Sequence, residues 1–146
     1  MINVSVEIDT SFDIPVAQTR TQQIVRHVFD REQISDGRIS IIFTTDENLR
    51  KMKHQFFNIN AYTDVIAFNL EESGDPVDGE LYISSERAYE NSILFGETHE
   101  SEITRLIVHG SLHLLGYDDQ SQNDLGKMKP LEDQYLAEIL PSGNPA

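Results

Sequence analysis

Cysteine is absent from the 146-residue chain, which excludes disulfides, cysteine zinc ribbons and thiol catalysis together. Any bound metal must therefore be held by His, Asp or Glu. Basic residues are scarce: 11 Lys and Arg stand against 25 Asp and Glu, a formal net charge of -14. Non-specific nucleic-acid binding rests on cations that neutralise phosphates, so any intrinsic nucleic-acid affinity is expected to be weak, with a metal or a partner needed for the rest. Small cationic clusters remain at Arg50-Lys51 with Lys53, and at Lys127 and Lys129. Long apolar runs are also missing, and none approaches the roughly eighteen residues that a membrane span needs. The opening Met1-Ile2-Asn3-Val4-Ser5 has no basic segment followed by an apolar stretch, so the expected address is cytoplasmic, with no membrane contact.

What is present fits one compact domain over residues 1–140, followed by a flexible tail over 141–146. Ile2, Val4, Val6 and Ile8 alternate with polar residues, the pattern of a half-buried strand. Asp13 and Pro15 are read as opening a helix with Val16, Ile24, Val25 and Val28 on its apolar side. Arg38–Phe43 reads as a buried strand. Thr45 or Asp46 then caps a helix carrying Leu49, Met52 and Phe56. Strands are predicted at Asp64–Phe68 and Glu80–Ser84, separated by an acidic loop, and Ser84 or Ser85 caps a helix that Gly96 ends. The next helix runs from about Thr98 to Leu115, with Ile103, Ile107, Gly110 and Leu114 as its buried stripe and Gly116 as its stop. Leu125, Met128, Leu131, Tyr135 and Ile139 mark a last amphipathic stretch that Pro130 should kink or divide. The architecture expected is α+β: about four strands in a mixed sheet around a central metal-binding helix.

Residues 109–119 read His-Gly-Ser-Leu-His-Leu-Leu-Gly-Tyr-Asp-Asp. His109 and His113 lie one turn apart on one side of the helix, where two imidazoles can share an ion. A bare His-x-x-x-His pair is common by chance. Here the stop at Gly116 lets the chain turn back and bring Asp119 to the pair as a third ligand. Three protein ligands and an open position are the arrangement of a catalytic zinc, and one Zn2+ per chain is expected, with another divalent transition metal as the alternative.

The spacing resembles that of metzincin peptidases, but those carry a glutamate general base directly after the first histidine. Here that position is Gly110, so their mechanism is not available. His-Gly-x-Leu-His-Leu-x-Gly-Tyr-Asp is instead similar to the signature of the YbeY family, bacterial endoribonucleases of ribosomal RNA maturation and ribosome quality control. Thr63–Phe68 and Gly79–Ser84 resemble two strands of that family, and Met128 with Glu132 fits its closing helix, so the likeness spans roughly residues 38–140. It implies a zinc-dependent endoribonuclease with rRNA precursors as substrate, small ribosomal subunit components as partners, and no role for DNA. Two positions depart from the pattern. Asp119 stands where the family usually has a third histidine, which lowers the positive charge of the site and raises the pKa of bound water. It also favours harder metals such as manganese. Phe57 stands where an arginine is common, which passes any phosphate-holding role to Arg50, Lys53 or Arg87.

Among the remaining residues, Asp118 is either a general base or orienting group for the histidines, or a cap on the turn after Gly116. Arg105 points either to substrate phosphate or to an ion pair with Glu102. Ser84 is a cleft residue or an N-cap, and His54, beside Phe56 and Phe57, can stack on a base. His27 and His99 carry no signal, and Tyr117 is read as packing. A second function class is a ribosome-assembly factor in which the metal only locks the last turn of the helix. A third is a metal hydrolase of small molecules or peptides, for which a narrow closed pocket would speak.

Overall fold

The computed structural model describes residues 1–118 and 121–140, with the side chain of Leu125 outside that description. In chain order the elements are β1 (Ile2–Asp9), α1 (Gln18–Arg31), β2 (Gly37–Thr44), α2 (Asp46–Phe57), β3 (Val65–Asn69), β4 (Val77–Ser84), α3 (Ser85–Phe95), α4 (His99–Leu114) and α5 (Gln122–Ile139). The four strands form one sheet in the order β1-β2-β4-β3. β1, β2 and β4 run parallel, and β3 pairs antiparallel to β4 with Val65 opposite Ile83 and Ala67 opposite Leu81. The expected α+β fold with a mixed four-stranded sheet is what the chain adopts.

One face of the sheet makes the core. Ile39, Ile41 and Phe43 of β2 and Leu81 and Ile83 of β4 are fully buried, as period-two alternation dictates for residues that share a face. α4 packs against this face and is buried over most of its surface, with Ile103, Leu106, Ile107, Val108 and Leu112 in the core; such a helix belongs inside a domain. Two glycines set its distance from the sheet. A Cβ on Gly110 would come within 2.7 Å of a Leu81 methyl, and one on Gly79 within 2.7 Å of a Leu114 methyl. Gly110 is therefore a packing position facing β4, which explains in physical terms why no carboxylate follows His109.

Four expectations need correction. The helix after Pro15 begins at Gln18, because residues 13–17 stay outside it: the Asp13 carbonyl accepts from the Ser85 hydroxyl, Val16 lies in a bend, and Ala17 has β dihedrals. Ile8 is exposed, since it lies toward the far end of edge strand β1. α1 instead ties down the other end, where Gln22 and Arg26 donate to the Val4 and Ile2 carbonyls at 2.9 and 3.4 Å, blunting an open sheet edge. β4 begins three residues before Glu80, at Val77. α5 runs unbroken through Pro130. The carbonyl that Pro130 leaves without a donor belongs to Gly126, on a turn where Gly126, Lys127 and Lys129 face solvent, so water can satisfy it.

The caps follow the sequence closely. Thr45, Ser84 and Thr98 accept from the backbone N–H groups of Asn48, Arg87 and Ser101 at 3.0 Å each. Gly96, with φ 67°, ends α3. No helix among the described residues is long and apolar enough to cross a membrane.

Candidate metal centre

α4 carries His109 and His113 on the side that faces β3. Their rings lie 4.8 Å apart between centroids, at 72° to one another. Both line an open cleft of about 560 Å3. Thr63, Asp64, Val65, Ile66 and Ala67 supply the β3 side of this cleft, Lys53, Phe57 and Ile59 the α2 side, and Tyr117 and Asp118 the turn after α4.

That turn is fixed by the backbone. Gly116, with φ 101°, lets its own N–H reach the His113 carbonyl at 3.0 Å and the Tyr117 N–H reach the Leu112 carbonyl at 3.1 Å. These are the two bonds of a Schellman stop, and the left-handed conformation favours glycine. The Tyr117 hydroxyl then donates to Glu32, the C-cap of α1, at 2.7 Å, and the Tyr135 hydroxyl of α5 binds the same carboxylate. Burial and the hydrogen bond to Glu32 push the Tyr135 phenol well above its usual range. Tyr117 is thus an anchor for the turn, which delivers an exposed Asp118 to the rim of the cleft. Asp119, the expected third ligand, lies outside the described residues.

Glu132 of α5, which the sequence marks only as fitting the family's closing helix, makes a contact with His109 that reading the chain in isolation missed. Its side chain is 4% exposed, and Oε1 lies 3.1 Å from His109 Nδ1. Burial pushes its carboxyl up, yet the hydrogen bond from His109 and the charges of His109, Arg105 and Lys129 outweigh this and hold it below the usual carboxylate range. An ionised Glu132 accepts from the Nδ1–H of His109, which fixes the orientation of the ring and the proton on that side of it. The signal was present as an acid on the buried side of α5, beside Met128 and Tyr135, where an unpaired carboxylate would be costly.

Arg105 holds the other side of Glu132. Its guanidinium donates to Glu102 at 2.9 and 2.7 Å and to Glu132 at 3.4 Å. The hydrogen bonds to Glu102 raise its pKa further, against the effect of burial. Arg105 opens onto a different groove, shared with Phe95, Lys129 and Leu136, and it does not line the histidine cleft. The chain Glu102–Arg105–Glu132–His109 therefore runs from α4 through α5 and back to the cleft.

The other candidates are dispersed. Ser84 caps α3 and its hydroxyl donates to Asp46 at 3.3 Å. His54 is exposed near the end of α2 and is not among the cleft-lining residues. His27 pairs with Glu138 at 2.7 Å, and His99 with the Ser85 carbonyl at 2.9 Å. Arg50 is engaged by Glu47 and Asn60, and Arg87 by Asp46 and Glu90. Among the described residues Lys53 is the one Lys or Arg that lines the cleft.

The donor set suits a borderline divalent ion: two imidazoles on one helix face, one of them held in tautomer by a buried carboxylate. Among the described residues no group of three His, Asp or Glu is assembled to hold a metal. The histidine pair thus needs a further ligand, and Asp119 directly follows the rim residue Asp118 in the chain.

The family described as "Endoribonuclease YbeY" matches residues 5–140. A protein of that name from Salinibacter ruber is 35% identical over 127 residues, covering 82% of this chain and 81% of the relative. Its counterpart from Flavobacterium psychrophilum is 38% identical over 136 residues, covering 93% and 94%. The solution structure of a Thermotoga maritima protein shares the fold with a TM-score of 0.66 at 23% identity, covering 98% of this chain and 91% of that one. With the match running from β1 to the end of α5, and so across every element that frames the cleft, the chain belongs to the YbeY family.

Proposed function

We propose that the chain is a zinc-dependent endoribonuclease acting on ribosomal RNA precursors, in ribosome maturation and quality control. The observation that carries this reading is the His109–His113 pair in an open cleft, with His109 oriented by the buried Glu132. Relatives that cover most of the chain bear the name endoribonuclease, and an open cleft suits a polymer better than a closed small-molecule pocket.

His109, His113 and Asp119 are the residues that would hold the ion. When bound there, zinc supplies Lewis-acid activation of the attacking oxygen and stabilises charge developing at phosphorus. Glu132 keeps the His109 ring in one tautomer and one orientation throughout. The Asp118 carboxylate, at the rim, accepts the proton from the attacking oxygen. Lys53 positions a phosphate from the opposite wall. Arg105, which binds Glu102 and Glu132, acts on the site through Glu132 and not on the RNA.

The charge of -14 favours a second reading: a metal-stabilised assembly factor that binds ribosomal components without cleaving RNA. One experiment separates the two. Purified protein is incubated with precursor ribosomal RNA, with and without a chelator, beside Asp118→Asn. The nuclease reading expects cleavage that chelation abolishes and zinc restores, and a loss of about 100-fold or more in the variant, as removal of a general base gives. Intact RNA in every lane, with chelation lowering only the melting temperature, would contradict it and favour the assembly factor.

A further inference from the structure

We propose that the α2 wall of the histidine cleft is a nucleobase subsite, in which Phe57 stacks an unpaired base of the bound RNA and Lys53 holds a neighbouring phosphate. This rests on the ribonuclease reading and adds to it the part of the nucleotide that the cleft grips.

Phe57 is the last residue of α2, and the chain turns away at once through Asn58, whose φ is 57°. The residue is 49% exposed, although its side chain is large and apolar. It lies nearly parallel to the ring of Phe68, with centroids 6.0 Å apart and 14° between planes. Phe68 is itself gripped edge-on by Phe56, at 5.3 Å and 70°, and by Tyr82, at 5.9 Å and 80°. Phe57 is thus backed on one face by a braced aromatic cluster, while its remaining surface lines the cleft beside Lys53 and Ile59, across from the two histidines. A flat apolar ring held in place before the ligand arrives is what base stacking requires, and it costs little entropy on binding.

Charge argues for the same occupant. A chain of net charge -14 with one Lys or Arg among the described cleft residues gains little from phosphate neutralisation. Stacking is insensitive to net charge and to base identity, and is worth about 1–3 kcal/mol per base. Affinity carried by stacking also predicts a shallow dependence on salt, because few counterions are released.

The chain contains no tryptophan, so Phe57→Trp places a single indole reporter in the wall. Binding of a short fluorescein-labelled oligoadenylate is followed by anisotropy for the parent, Phe57→Trp and Phe57→Ala, and indole emission is recorded for Phe57→Trp. Cleavage of precursor RNA by the parent is measured in parallel. The proposal expects Phe57→Ala to bind about tenfold more weakly, and Phe57→Trp to bind like the parent with its emission quenched. The gap between parent and Phe57→Ala should close on an oligonucleotide of the same length made of abasic sugars. Equal binding by parent and Phe57→Ala, with unchanged indole emission, would overturn the subsite while parent cleavage upholds the ribonuclease reading. A parent that neither binds nor cleaves RNA would overturn both.

Discussion

Arg105→Met is expected to lower the unfolding free energy by about 3–5 kcal/mol, the usual cost of removing one partner from a buried ion-pair network. Two carboxylates depend on that guanidinium: Glu102, with a side chain 2% exposed, and Glu132, 4% exposed. Methionine fills the volume but takes from Glu102 its close cation and leaves Glu132 with His109 and Lys129, and a buried carboxylate that loses its cation must either take up a proton or open the structure. Urea unfolding of the parent and the variant, at unchanged m-value, reads the loss directly. The same experiment decides between the two sequence readings of Arg105. Full stability with lost RNA cleavage would return it to the substrate; lost stability identifies it as the residue that keeps Glu132 in place.

Glu132→Gln is expected to weaken zinc binding by about 10–100-fold, in line with other carboxylates that hold a metal-binding histidine. The amide can still accept from Nδ1–H of His109, so the ring keeps a partner, but it no longer carries the negative charge that makes the imidazole a better donor. It also leaves Arg105 with Glu102 at 2.7 Å and Asp64 at 4.0 Å as its acids. Competition against a chromogenic zinc chelator gives the affinity of parent and variant. A reduced melting temperature with zinc affinity unchanged would mean that Glu132 only stabilises the α4–α5 contact.

The pairing of Arg105 with Glu102 was one of its two sequence readings and is present, whereas Glu132 shows where sequence reading stops. α4 was legible from end to end because its signals are local: the cap at Thr98, the stop at Gly116 and two histidines at the spacing of one turn. The α+β architecture was legible for the same reason, since β2 and β4 carry strand patterns that hold whatever they pack on. Glu132 meets His109 across 23 residues of sequence, through the docking of α5 on α4, and no local pattern records that pairing. Gly110 was recognised as part of the buried stripe and as the absence of a base, while the partner that it lets α4 close on, Leu81, needs the sheet to be seen. The start of α1 was misplaced because Pro15 is equally suited to an extended segment, and the Asp13 carbonyl bonding to Ser85 comes from a distant helix. Phe57, read as a missing cation, gains its meaning from Phe68 on the neighbouring strand.

The central claim is that one helix turn and the residue beyond it hold a metal, and elemental analysis tests it most directly. Protein purified without added metal is measured beside His113→Ala and Asp119→Ala. The account predicts zinc at about one ion per chain in the parent, as for a site with three protein ligands, and a sharp loss in both variants. No metal in the parent, or the same occupancy in all three proteins, would contradict it.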